Sequence, residues 1–186
     1  MKNKITLKLK NMENKKYRLT DETISIDGRV LHRIEAVRYF DSINKGDKGG
    51  FVESERNLSH KGNCWVYDDA CVYDYAQVTE NSSIKQNARV CGYAKVYNSG
   101  CVCGESIVRD YAQVYHSAIV RDKALVCDVV HIYGRSCVGG ESIVYDSVQV
   151  YGKANVCGNC ILHDYVRICG RSAVDSVELF GDSLIY

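Results

Sequence analysis

From Val66 onward an aliphatic side chain falls at every sixth position, through Val72, Val78 and Ile84 to Leu162, Ile168 and Val174, with no insertion over nineteen stations. One residue then drops out, and Leu179 and Ile185 carry the pattern to the end. Two residues before most stations stands a small side chain, as at Ala70, Ala76, Ser82, Ala88 and Ala112. Two residues after many of them stands Asp, Gly or Asn, as at Asp68, Gly92, Asn98 and Asp110. Residues two apart in a strand point to the same side, so the small residue and the aliphatic one face a common interior. The Asp, Gly or Asn then supplies the left-handed backbone of a tight corner. A period of six suits neither a helix nor a sandwich, whose turns come every 8–12 residues. It predicts a short strand and a corner repeated many times, which is a solenoid. The chain has no proline, as expected where every strand needs its N–H for the ladder.

These six-residue units resemble the hexapeptide repeat of left-handed parallel β-helices, the trimeric LpxA-like superfamily. The leader segments YRLTDETISIDGRVLHRIEAVRYF and KGDKGGFVESERNLSHKGNCWVYDDA resemble the YdcK-like proteins of bacterial and phage genomes, and the resemblance runs over residues 17–186. It implies an all-β chain with a left-handed sense, a triangular section and a transferase label. With three hexads to a coil, the stations make about seven 18-residue coils, roughly 34 Å tall at a strand spacing near 4.8 Å.

The expected division is a small β-rich cap over residues 1–60 and the hexapeptide-repeat β-helix over residues 61–186. In the cap, Ile5–Lys10 alternates as a strand does, Asp27-Gly28 reads as a hairpin turn, and Val30–Tyr39 suits a strand or a short helix. Gly49-Gly50 lacks any phosphate-loop context and reads as a turn. Trp65 is expected to pack beneath the cap.

Stacking every eighteenth residue gives three walls, and function is expected on their outward columns. The column before the stations of the second wall carries Ile107, Leu125, Ile143 and Ile161 in consecutive coils. Contiguous exposed apolar surface marks an interface, so these four predict a homo-oligomer contact, dimer or trimer, unless the leader or a C-terminal segment covers them. The third wall carries Tyr97, Tyr115, Tyr133 and Tyr151 after its stations and a Gln, Lys, His and Arg column before them. In-register tyrosines stabilise a sheet by cross-strand pairing; they also suit a partner protein or, with less support, single-stranded nucleic acid. A further column, Tyr75, Tyr93 and Tyr111, lies at the corner after the second wall, beside Asp74, Asp110, Asp128, Asp146 and Asp164. These Asp read as corner residues bonding their own corner N–H groups; identical single-ligand rungs offer no mixed metal set, so no metal is expected.

Charge adds little: the chain holds 24 basic and 23 acidic side chains, against a strongly basic nucleic-acid binder. No run approaches 18 apolar residues, so no membrane span is expected. The Lys-interrupted N-terminus lacks a signal peptide's apolar core, and ten cysteines then read as free thiols in the cytoplasm. No Cys has an identifiable His partner, and no four converge as a zinc site needs. The superfamily resemblance implies acyl-CoA and a histidine base, for which His131, outward in mid-wall, is the candidate over His116 and His163 near corners. The absence of inserted loops leaves such a base without a water-excluding pocket. The leading expectation is therefore a non-enzymatic binding or assembly protein, with no cofactor and a host or phage protein as partner. The resemblance to phage-encoded chains extends this to an inhibitor of a host-defence enzyme. The alternative is an acyl-CoA-dependent acyltransferase.

Overall fold

The computed structural model describes residues 15–186; the Ile5–Lys10 strand expectation lies outside them. The described residues are all-β, with parallel strands stacked 18 residues apart into three walls, and the stack fits a left-handed β-helix. The leader contributes β1 (Tyr17–Ile26), β2 (Arg29–Ala36) and β3 (Lys48–Val52). The first wall runs in seven strands from β4 (Trp65–Val66) to Ala173–Asp175. The second begins with β1, β2 and β3 and continues from β5 (Cys71–Val72) to Glu178–Leu179. The third runs from β6 (Gln77–Val78) to Leu184–Ile185.

Each hexad behaves as its residues dictate. The stations from Val66 to Ile168 are fully buried, among them Val108, Val114 and Val120, and so are Ala112, Ala118 and Ala124 beside them, while Val174, Leu179 and Ile185 at the open lower end are partly buried. Where Ser replaces Ala in the small position it stays satisfied: Ser106 Oγ donates to Cys103 O at 2.7 Å and Ser142 Oγ to Gly139 O at 2.8 Å. Strand amides donate to the coil that follows, as Ile107 N–H to Ala124 O at 2.9 Å. Corner residues hold left-handed backbone, including Asp110 at φ 59° and Asp146 at φ 58°. Each corner Asp bonds the next coil rather than its own corner. The Asp146 N–H donates to Asp128 Oδ2 at 3.2 Å and the Asp164 N–H to Asp146 Oδ2 at 3.1 Å. The like-charged column thus serves as a stitch between coils.

The expected seven coils are present, and the leader supplies one more, giving about eight turns. Strand β3 pairs in parallel with β5, Phe51 with Cys71 and Val52 with Val72, and Leu58 bridges Val78. Val52 and Leu58 keep the spacing of six, but eight residues separate Leu58 from Val66, which throws the first turn out of phase. Gly49 and Gly50 are strand residues, not a turn. A Cβ on Gly49 would fall 2.5 Å from Val66 O and 2.7 Å from Trp65 Cζ2, so only glycine lets β3 lie this close to the first coil.

Hairpin β1–β2 turns at Asp27-Gly28 with φ of 51° and 76°, and Val30–Tyr39 resolves mainly into strand β2. Tyr17, Ile34, Phe40 and Ile43 close the upper end of the core over Trp65, whose ring meets Phe40 edge-on at 5.3 Å. Lys16 is buried beside them; its Nζ donates to Cys64 O at 2.6 Å, and burial holds its pKa below the usual lysine value.

Candidate functional site

The interior of the repeat is lined by the same small and aliphatic residues from coil to coil, so the sites expected from the sequence lie on its outward columns. On the second wall, Ile107 pairs with Leu125, Leu125 with Ile143 and Ile143 with Ile161, which makes the aliphatic stripe continuous over four coils. Ile143 and Ile161 are 39% and 37% exposed, and Ile107 and Leu125 are half-buried. The leader covers only the upper end of this face: Leu31 packs on Phe51, Cys71 and Tyr73 in a small second core, with Ile24, Ile26 and Cys91 at its border. Below it the stripe has no cover from the described residues.

Beside the stripe's lower end Tyr145, His163 and Phe180 stack at 5.1 and 5.6 Å. His163 lies between strand Ile161–Leu162 and the corner residue Asp164, near the corner as expected, with Nδ1 3.2 Å from Asp164 Oδ2 and Nε2 3.6 Å from Glu178 Oε1. Asp146, His163 and Asp164 bring one donor atom each within 4.8 Å. Both carboxylates already accept a backbone N–H from the next coil. Asp146 and Asp164 stand one coil apart in the corner column, as their spacing of 18 requires, but the last coil is one residue short, so the approach of Glu178 and Phe180 to His163 was not legible from spacing.

On the third wall the four tyrosines are in register, with ring centroids 4.8, 5.1 and 5.0 Å apart and planes within 5° of parallel. They are half-buried, each ring stacked on the next and two of the hydroxyls reaching the Gln column. Tyr97 Oη donates to Gln113 Oε1 at 3.2 Å and Tyr133 Oη to Gln149 Oε1 at 3.4 Å. Stacking consumes the ring faces, so this ladder presents ring edges and not a platform for bases. Burial raises the pKa of Tyr97, Tyr115 and Tyr133, and they remain phenols at neutral pH. The corner tyrosines are the more exposed set: Tyr75, Tyr93 and Tyr111 stack at 4.9 and 5.0 Å, with the Arg56 guanidinium 4.8 Å above the Tyr75 ring.

His131 sits in mid-wall between Gln113 and Gln149. Burial lowers its pKa, so the ring is neutral at pH 7, the state a base requires. Its aromatic neighbour is Tyr115, edge-on at 6.1 Å. No carboxylate among the described residues orients it. The depressions along this wall, of about 270 to 360 Å³, are open and enclose no reacting centre. His116 lies at a corner with φ 58°. The ten cysteines are free, and burial pushes Cys71, Cys103 and Cys127 up to about 11, well away from a reactive thiolate. No helix among the described residues is long and apolar enough to cross a membrane.

No family model matches the chain. It is similar to a protein of Escherichia coli (strain K12) described as "Uncharacterized acetyltransferase YdcK", 33% identical over 79 residues. The match takes in 38% of this chain, and the chain spans only 24% of that protein's length. This similarity and the stacked parallel coils together fit a hexapeptide-repeat β-helix of the LpxA-like superfamily.

Proposed function

We propose that this hexapeptide-repeat β-helix is a binding and assembly protein: a rigid prism that pairs with further copies along its second wall and presents its third wall to a protein partner. The observation that carries the reading is the stripe Ile107, Leu125, Ile143 and Ile161, aliphatic and contiguous where the fold demands nothing of its outward positions. The third wall adds a polar, aromatic face with shallow depressions, suited to a macromolecule that lies across it. Ten free thiols fit a reducing compartment such as the cytoplasm. Affinity capture on the immobilised protein tests the reading. The expected result is a stoichiometric partner that is lost with Tyr115→Ala plus Tyr133→Ala. Equal capture by the double variant would count against the third wall as the partner face.

The similarity to a protein described as an acetyltransferase favours a second reading, acyl transfer from an acyl-CoA with His131 as base. His131 lines none of the three open depressions described above, so this reading calls for a second copy to close the site, and no step is derived for it. A thermal shift on acyl-CoA addition, together with acetyl transfer that disappears in His131→Ala, would move the assignment to it.

A further inference from the structure

The third wall repeats itself four coils apart. Its upper depression, about 350 Å³, is lined by Arg56, Tyr75, Gln77, Tyr93, Lys95 and Tyr111. Its lower depression, about 360 Å³, is lined by Ser147, Gln149, Tyr165, Arg167 and Asp182. The two line up position by position: Gln77 with Gln149, Tyr93 with Tyr165 and Lys95 with Arg167, each pair 72 residues apart. Tyr75 corresponds to Ser147 in the same way, and Tyr111 to Asp182 once the missing residue of the last coil is counted.

The lower depression carries its own anion. Asp182 Oδ1 lies 2.9 Å from Arg167 Nη2, beside Tyr165 and Gln149. The upper depression has the cation without the carboxylate, because Tyr111 stands where Asp182 would. Lys95 makes no ion pair among the described residues. Glu80 lines the neighbouring depression with Lys95, but its Oε2 accepts the Asn98 N–H at 2.9 Å. Arg56 reaches Glu53 only at 3.9 Å, and Glu53 already accepts the Asp74 N–H at 2.7 Å. One copy of the motif is thus closed by a direct ion pair, and in the other Lys95 has no ion-pair partner among the described residues while Arg56 has only the long contact to Glu53.

We propose that the upper depression receives a carboxylate from an acidic, extended segment of a protein partner, seated on Lys95 and Arg56 as Asp182 is seated on Arg167. The proposal rests on the third wall being the partner face. A small carboxylate would touch one open side only, whereas small-molecule sites bury most of their ligand. Nucleic acid fits less well: the faces of Tyr75 and Tyr93 are taken by Arg56 and by neighbouring rings, and the site offers two cations rather than a row for successive phosphates.

Fluorescein-labelled tetraglutamate tests this by polarisation at low ionic strength with the full chain. The peptide spans about 13 Å, too short to bridge depressions four rungs, about 19 Å, apart. The expected result is saturable binding at one site, weakened about fivefold by Lys95→Gln and unchanged by Arg167→Gln. Asp182→Asn should free the lower depression and raise the stoichiometry from one peptide to two. No binding, indifference to Lys95→Gln, no second site in Asp182→Asn, or tighter binding of labelled oligothymidylate would each overturn the proposal. Should tetraglutamate fail while Tyr115→Ala plus Tyr133→Ala still abolishes partner capture, the acidic segment falls and the partner face stands.

Discussion

The second and third walls are built from the same six-residue unit and share one interior, yet their outer faces have little in common. Inward, both place a buried aliphatic beside a buried Ala, Ser or Val. Outward, the second wall sets Ile107, Leu125, Ile143 and Ile161 in one column, while the third sets Gln113, His131, Gln149 and Arg167 beside stacked tyrosines. The fold dictates the inside and leaves the outside free. Chemistry that differs between walls therefore reports what each wall meets, and chemistry they share reports only what holds the coils together.

The largest expected effect comes from breaking what the walls share. Val126 is fully buried between coils, and Val126→Asp puts a carboxylate into the dry core. Such a burial costs about 4 kcal/mol or more, and urea unfolding followed by circular dichroism should find no cooperative transition at 25 °C. Changes on one wall should instead be selective. Leu125→Arg with Ile143→Arg should leave the fold intact and abolish self-association, because charge is intolerable only if that face is covered by another copy.

Tyr115→Ala with Tyr133→Ala should cost about 0.6 to 3 kcal/mol, since three stacked pairs are lost at about 0.2 to 1 kcal/mol each. Self-association should persist in this variant, which separates the two faces. The smallest effect concerns His131. Burial holds its folded pKa below 6.5, so the unfolded chain takes up the proton first as pH falls. Its contribution to stability is complete above pH 6.5 and is lost on acidification below it. Thermal unfolding of His131→Gln between pH 7.5 and 5.5 should thus fall less steeply than that of the parent. His60, shifted in the same direction by burial, supplies part of the remaining slope.

The unbroken spacing from Val66 to Val174 made the stack legible in the sequence, because a period of six admits few chain paths. The first turn was not legible. Two extra residues before Val66 broke its phase, and the Gly49-Gly50 pair looks like a turn until the close approach of Trp65 and Val66 is seen. The outward columns were readable in composition but not in exposure: both tyrosine columns recur every 18 residues and both stack, yet nothing in the spacing says that Tyr97 to Tyr151 are half-buried while Tyr75, Tyr93 and Tyr111 stand further out. Likewise, the pairing of Arg167 with Asp182 and the absence of its counterpart at Lys95 depend on side-chain reach across coils, which periodicity does not encode.

Solution mass bears most directly on the claim that outward columns carry the function. Light scattering of the full chain beside Leu125→Arg plus Ile143→Arg should give a whole multiple of the chain mass for the parent and a single folded chain for the variant. A monomeric parent, or a variant that keeps the parent's mass, would contradict the assignment of the second wall.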